Sequence, residues 1–286
     1  MSDLFDFKAP KRDYAVMGNP VVHSKSPLIH GMFAEQCGVV LSYEKIQVEI
    51  GGFDQAVSDF AAHGGAGLNI TVPFKLDAWQ LCQRNQNSLA PRATMAEAVN
   101  TLQFKDDGSV HGDNTDGAGI VMDLQQNSDC PLNGARILLI GAGGAARGVI
   151  APILDCQPAL LTIANRTAQK ATLLAEHFAR RGYSQVESSS MDRVEEQYDV
   201  VINATAASLS DALPEVGHRC IGPDTLAYDM MYGTTPTIFM KWAKDLGAKT
   251  AKDGLGMLVE QAAESFYLWH GQRPDTAAVI SYIRKA

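Results

Sequence analysis

Residues 136–154 read RILLIGAGGAARGVIAPIL: an apolar run, a cluster of glycines, then a helix-forming tail. Gly141, Gly143 and Ala146 stand in a G-x-G-x-x-A arrangement directly after a strand-like segment and at the opening of a helical one. That context gives the spacing its physical meaning. The first glycine permits the turn, the second lets backbone approach a pyrophosphate, and the third small residue lets helix and strand pack closely. The backbone of Gly141, Ala142, Gly143, Gly144, Ala145 and Ala146 is therefore a candidate dinucleotide cradle, with the helix N-terminus supplying free N–H groups and a positive dipole end.

Working outward, the next strand is expected at 160–164 and is followed by Asn165, Arg166 and Thr167. A site for NAD usually carries a carboxylate here to accept from the ribose 2′-OH. This chain has none. Arg166 can pair with a 2′-phosphate while Asn165 and Thr167 donate to it, so NADP is the expected cofactor. Arg166 lies 25 residues after Gly141, near the spacing of about 20 that such a site calls for.

Helices are expected at 145–154, 168–180 and 238–246, and further strands at 200–203 and 226–229. Strands separated by helices predict an α/β, Rossmann-type doubly wound parallel sheet. The preceding part also reads as α/β. Strands are expected at 14–18, 42–50, 67–71, 99–104 and 110–112, the last two joined as a hairpin by the turn Lys105–Gly108, with helices at 53–63 and after Pro73. DNTDG (113–117), leading into a helix at 120–126, and AKDGLG (251–256) are candidate linkers. Helices at 258–269 and 275–284 are expected to return to the first part, leaving a cleft between two lobes.

The bulk numbers fit a globular chain: 286 residues, 46% hydrophobic and 20% charged. A net charge of −8 disfavours nucleic acid, which is held mainly by clustered Lys and Arg. The acidic start MSDLFDFKAPKRD lacks the apolar run of a signal peptide, and no apolar stretch reaches about 18 residues, so neither membrane nor export is expected, and a cytoplasmic location is. The five cysteines are widely spaced without a CxxC pair, and the seven histidines form no HExxH. A disulfide framework or a metal site is not indicated. No repeat at a fixed period is present.

YAVMGNPVVHSKSPLIH (14–30), NITVPFK (69–75), AVNTL (98–102), GDNTDG (112–117), GAGGAARG (141–148), NRT (165–167), INAT (202–205), YDMMY (228–232) and DGLGMLVEQAA (253–263) together resemble the shikimate dehydrogenase family over about residues 14–269. The resemblance implies reversible NADP-dependent reduction of 3-dehydroshikimate to shikimate in the route to chorismate and aromatic amino acids. It also implies a substrate and catalytic lobe at 1–115, a cofactor lobe at 116–253 and returning helices at 254–286. Lys75 and Asp116 are the implied catalytic pair. The chemistry agrees, because ketone reduction needs a proton for oxygen and a positioned ammonium stabilises developing alkoxide charge. Which of the two carries the transferred proton stays open.

Ser24 and Ser26, two apart in an extended loop, would point the same way, with Lys25 opposite. The resemblance gives them the substrate carboxylate, and gives Thr71, Asn100, Tyr232 and Gln261 contacts to carboxylate or ring hydroxyls. Met230, Gly254 and Met257 would flank the nicotinamide, although methionine at such spacing also fills cores. Three positions depart from the family pattern: Glu97 for a glycine before AVNT, Pro91 for an acidic residue, and the loop Ala206, Ala207, Ser208 for one with an early glycine. The alternatives are a quinate/shikimate dehydrogenase using NAD or both cofactors, and a non-catalytic NADP-binding sensor. The small-molecule substrate is the expected partner, in a monomer or homodimer.

Overall fold

A computed structural model of the chain describes residues 12–84, 88–205, 207 and 212–285. Most of the acidic start and two positions of the departing loop, Ala206 and Ser208, lie outside the described residues.

The first lobe runs β1 (Arg12–Gly18), α1 (Ser26–Cys37), β2 (Leu41–Gln47), α2 (Phe53–Ala62), β3 (Gly65–Ile70), α3 (Lys75–Arg84), β4 (Ser88–Leu89), α4 (Pro91–Ala96), β5 (Thr101–Phe104) and β6 (Val110–Asp113). Its strands lie in the order β2-β1-β3-β5-β6-β4. The pairs flanking β1 are parallel, and β5 is antiparallel to both β3 and β6. The hairpin expected from Lys105–Gly108 is β5–β6.

The second lobe is built from α5 (Asp116–Met122), β7 (Arg136–Ile140), α6 (Gly144–Asp155), β8 (Leu160–Asn165), α7 (Ala168–Ala179), β9 (Val186–Ser190), β10 (Val200–Asn203), β11 (Leu226–Asp229), α8 (Ile238–Asp245) and β12 (Thr250–Asp253). All its strands pair parallel, in the order β12-β11-β10-β7-β8-β9. This is the doubly wound sheet, and it explains why its strands read as unbroken apolar runs. Ile137, Leu138, Leu139 and Ile140 are all fully buried, as a sheet covered on both faces requires.

Two helices close the chain, α9 (Leu255–His270) and α10 (Thr276–Lys285). Val259, Ala262 and Phe266 of α9 and Val279 and Ile283 of α10 share a core with Ile29 and Phe33 of α1. On another side α9 packs closely on α5, and Gly119 brings α5 within contact of Gln261. Among the described residues, no helix is long and apolar enough to cross a membrane.

Both expected linkers are structured instead. Asp113 ends β6 and Asp116 opens α5, with Asp113–Asp116 all buried, because this crossing is pressed between the lobes rather than exposed. Residues 250–253 form the edge strand β12, and Gly254, in the turn into α9, and Gly256, in the helix's first turn, are tightly packed. The helix expected at 120–126 begins at Asp116 and ends in a π-helical turn, Asp123–Asn127. There the buried Asp123 carboxylate accepts from Tyr228 Oη at 2.5 Å and Asn127 Nδ2 at 3.0 Å.

Where α1 meets α9 sits a buried histidine. His30 stacks on Tyr43 with ring centroids 4.4 Å apart, and neither ring nitrogen has a hydrogen-bond partner among the described residues. Burial pushes His30 down to about 3 and His270 beside it to about 4, against about 6.5 in an unfolded chain. The folded state thus binds fewer protons than the unfolded one, so this stability is full above about pH 6.5 and is lost progressively as pH falls toward 3–4. Thermal melts from pH 7 to 4.5 should show Tm falling, with a shallower slope in His30→Phe. Parallel slopes would remove His30 from that account.

Candidate active site

Lys75 opens α3, just after the turn that ends β3, and Asp116 opens α5 across the chain crossing. Lys75 Nζ donates to Asp116 Oδ2 at 2.6 Å, with the side chains only 17% and 8% exposed. The other Asp116 oxygen accepts from Asn100 Nδ2 at 2.9 Å, and its backbone N–H donates to Asn114 Oδ1. The carboxylate is therefore held on both oxygens and the ammonium has one fixed neighbour. The rest of the ammonium faces a cavity of about 310 Å³ between the lobes.

That cavity gathers Ser24, Ser26, Thr71, Lys75, Asn100 and Asp116 from the first lobe and the crossing. Tyr232, Gln261, Ala145, Met230, Gly254 and Met257 come from the other side. Ser24 and Ser26 do converge, with Oγ atoms 3.1 Å apart. They do so by a route other than an extended loop. Lys25 is in the αR region and Ser26 starts α1, so a tight turn, closed by Ser26 N–H donating to Ser24 Oγ, brings the hydroxyls together. Gln261 Oε1 accepts from Asn100 Nδ2 and Thr115 Oγ1, both at 3.3 Å. Burial raises the Tyr232 phenol above its usual range, which keeps it a neutral donor. Met230 and Met257 belong both to the cavity wall and to the second lobe's core.

Several wall residues went unread in the sequence: Asn69, His23, Val21 and Met231. Asn69 had a usable signal, since it lies two before Thr71 in the same strand-like segment and so shares its face. It accepts from Tyr43 Oη at 2.7 Å and donates to Thr101 Oγ1 and Ser265 Oγ. These bonds tie β3, β5 and α9 together beneath the cavity.

The dinucleotide turn lies at the carboxyl end of β7. Gly141 has φ +119°, where a side chain would be strained, and a Cβ there would press on the Ala204 backbone. At Gly143 and Gly144 a Cβ would stand in open space, so the turn presents bare backbone to the groove. Among the described residues no side chain caps α6, leaving its first N–H groups to a ligand. At the end of β8, Asn165 Nδ2 donates to Thr167 O at 3.0 Å, and Arg166 is exposed and makes no ion pair among the described residues. Open glycine backbone, an uncapped helix start and a spare guanidinium fit a dinucleotide with a 2′-phosphate. No group of three or more His, Cys, Asp or Glu among the described residues could hold a metal ion.

At Glu97 the backbone is left-handed, φ 51° and ψ 39°, which explains why a glycine suits this position.

Family models describe three parts of the chain: a shikimate dehydrogenase substrate binding domain at 16–102, a shikimate/quinate 5-dehydrogenase at 123–211 and a shikimate 5′-dehydrogenase C-terminal domain at 254–281. The chain is 52% identical over 273 residues to the shikimate dehydrogenase (NADP(+)) of Chromobacterium violaceum, covering 95% of this chain and 97% of the relative. It is 50% identical over 276 residues to that of Hydrogenovibrio crunogenus, with the same coverage. An Ael1 enzyme from Pseudomonas putida superposes with TM-score 0.88 at 42% identity, covering 95% and 98% of the two chains. Shikimate 5-dehydrogenase from Thermus thermophilus, solved with NADP(H) and shikimate, superposes with TM-score 0.84 at 29% identity over 96% and 99%.

Proposed function

Since the chain belongs to the shikimate dehydrogenase family, we propose that it catalyses the reversible NADP-dependent reduction of 3-dehydroshikimate to shikimate, on the route to chorismate. The observation that carries this reading is the Lys75–Asp116 pair, 2.6 Å apart and opening on the cavity that also receives the end of the dinucleotide turn. We assign the first lobe, 1–115, to substrate, the second, 116–253, to cofactor, and 254–286 to helices that complete the first.

When bound, NADPH supplies the hydride for the ketone carbon. The Lys75 ammonium donates to the ketone oxygen and stabilises the alkoxide as it forms. Asp116 orients that ammonium and completes the proton path, its own orientation fixed by Asn100 and Asn114. The paired hydroxyls of Ser24 and Ser26 hold the carboxylate, and Thr71, Tyr232 and Gln261 take ring hydroxyls or the carboxylate edge. These are neutral donors, which select orientation without a buried counter-charge. The wall of Met230, Gly254 and Met257 bounds the nicotinamide face and keeps water from it. The five cysteines are free thiols, in keeping with a reducing cytoplasm, and the enzyme works as a monomer or homodimer.

Initial rates of NADPH formation with shikimate at alkaline pH test cofactor and substrate together, and parallel assays with NAD and with quinate bound the specificity. Failure with shikimate and NADP would end this reading. Arg166 carries the cofactor preference. Arg166→Ala should raise KM for NADP by about 10–100-fold, the loss of roughly 1.5–3 kcal/mol of charge-assisted bonding, while leaving KM for NAD nearly unchanged. An equal effect on both cofactors would show that Arg166 does not meet the 2′-phosphate.

A further inference from the structure

The flank of the cleft carries a charge cluster that the reaction does not use. Glu97 ends α4 in the left-handed conformation, one of three non-glycine residues with positive φ among the described residues, where a side chain is disfavoured. Its carboxylate reaches across to the second lobe. Arg147 Nη1, on α6, donates to Oε2 at 2.9 Å. Arg181 Nη2, just beyond α7, lies 3.7 Å from Oε1, and His177 Nδ1, in the last turn of α7, lies 3.5 Å from it. A second bridge runs beside the first, His177 Nε2 to Met95 O at 2.9 Å. Arg181 Nη1 lies 2.9 Å from His177 Nδ1. An imidazole protonated on Nε2 alone satisfies both contacts, donating to Met95 O and accepting from Arg181.

Two facts argue that this cluster does more than add stability. Glu97, Arg147 and Arg181 are each about a third exposed, and ion pairs so placed contribute little to folding, which does not explain a glutamate on disfavoured backbone. Both ends of the bridge also lead straight to the site. On the first-lobe side, Ala98 O accepts from Asn114 Nδ2, Val99 N–H donates to Lys75 O and Asn100 N–H donates to Asp113 O. On the other side, Arg147 sits in the first turn of α6, with its N–H on Gly143 O of the dinucleotide turn.

We propose that Glu97 is a positioning residue: by clasping Arg147 and Arg181 it sets the spacing between the dinucleotide turn and the segment that seats Lys75, Asn100 and Asp116. This rests on the dehydrogenase reading of that site. The clasp aligns hydride donor and ketone, so loosening it slows the chemical step without removing any group that touches the substrate.

Three variants of the full chain test this. Glu97→Gln keeps the side-chain length and drops the charge, Glu97→Gly relaxes the backbone and removes the clasp, and Glu97→Arg with Arg147→Glu reverses the pair. Shikimate oxidation by the parent comes first, and its absence would count against the functional reading alone. For Glu97→Gln and Glu97→Gly, kcat should fall about tenfold and the deuterium isotope effect from shikimate labelled at the oxidised carbon should rise. The reversed pair restores the contact with α6 while setting like charge beside Arg181, so it should recover part of the rate, and Glu97→Gly should melt no lower than Glu97→Gln. Independently of any substrate, amide exchange at residues 144–148 and 98–100 should quicken in both single variants. If rate and isotope effect stay within twofold of the parent, or exchange at those amides is unchanged, the clasp is structural only and the proposal fails.

Discussion

Lys75→Ala is expected to lower kcat for shikimate oxidation by about 10²–10⁴-fold, the range that a positioned proton-transfer group supplies, while KM for NADP changes by less than about threefold. The split follows from geometry. Lys75 Nζ lies in the wall of the substrate cavity and meets Asp116, whereas Arg166 and the Gly141–Gly144 turn, at the carboxyl ends of β8 and β7, are not among the residues that line it. Removing the ammonium leaves Asp116 with Asn100 Nδ2 and the cavity, so an unpaired carboxylate is left in a site where it is 8% exposed. A modest loss of stability, about 1–2 kcal/mol, should accompany the loss of rate, since the site opens on a cavity and is less dry than a core. Circular dichroism melts separate that loss from the kinetic one. Asp116→Asn is the informative companion, because an amide keeps the shape and removes the charge, its one oxygen accepting from Lys75 or from Asn100 but no longer from both. If Asp116 carries the transferred proton, this variant should be as slow as Lys75→Ala; if Lys75 does, it should retain a substantial part of the rate. Near-parent turnover in both would remove the pair from the mechanism.

What could be read from the chain and what could not divides along physical lines. Strands β7, β10 and β11 are legible to the residue because a parallel sheet covered on both faces leaves unbroken apolar runs bounded by polar ends. The turn after β7 is legible because backbone approach to a phosphate demands glycine at set spacings. Helix α1 is not legible in this way. Its stretch SPLIHGMFAEQC interrupts the apolar spacing with Gly31 and buries His30, since it is covered by α9, more than two hundred residues later, and partner packing rather than its own periodicity makes it a helix. The edge strand β9, VESSS, carries one apolar residue and owes its form to pairing with β8. Likewise β12 is a strand because β11 templates it, so its lysine and aspartate read as linker. In the site, many of the residues that line the cavity were legible through motif segments, while the supporting layer of Thr101, Thr115 and Ser265 was not. Those side chains matter through their bonds to one another, and no spacing along the chain records which distant hydroxyls will meet.

The glycines of DNTDGAG also resisted reading, and they set the second large effect. Gly117 follows Asp116 on α5, and a Cβ there would stand 2.3 Å from Pro152 Cγ and 2.6 Å from Gly148 O of α6. Neither neighbour is the loose end of a side chain. Gly148 O belongs to a helix backbone, and Pro152, four residues on, has no N–H to give it, so that carbonyl faces α5 directly. Carbon contacts settle near 3.5–4.0 Å, so an alanine methyl must push α5 and α6 apart by about 1 Å. Overpacking of this kind costs about 1–3 kcal/mol, which in a chain of this size lowers Tm by roughly 2–5 °C. The functional loss should be larger than the melt suggests. Gly148 also packs against Asn114 and Asp116, its own Cβ position being 3.0 Å from Asn114 Oδ1 and 3.2 Å from Asp116 Oδ2. Moving α6 therefore shifts the start of the dinucleotide helix and the carboxylate that orients Lys75 together. Gly117→Ala should raise KM for NADP and lower kcat, each by about tenfold or more, since a displacement near 1 Å can cost about 10²-fold in rate. Steady-state kinetics beside a thermal melt checks both halves. A folded Gly117→Ala with parental Tm and kinetic constants would mean that the two helices are not in rigid contact at this point, and that the close approach does not set the site.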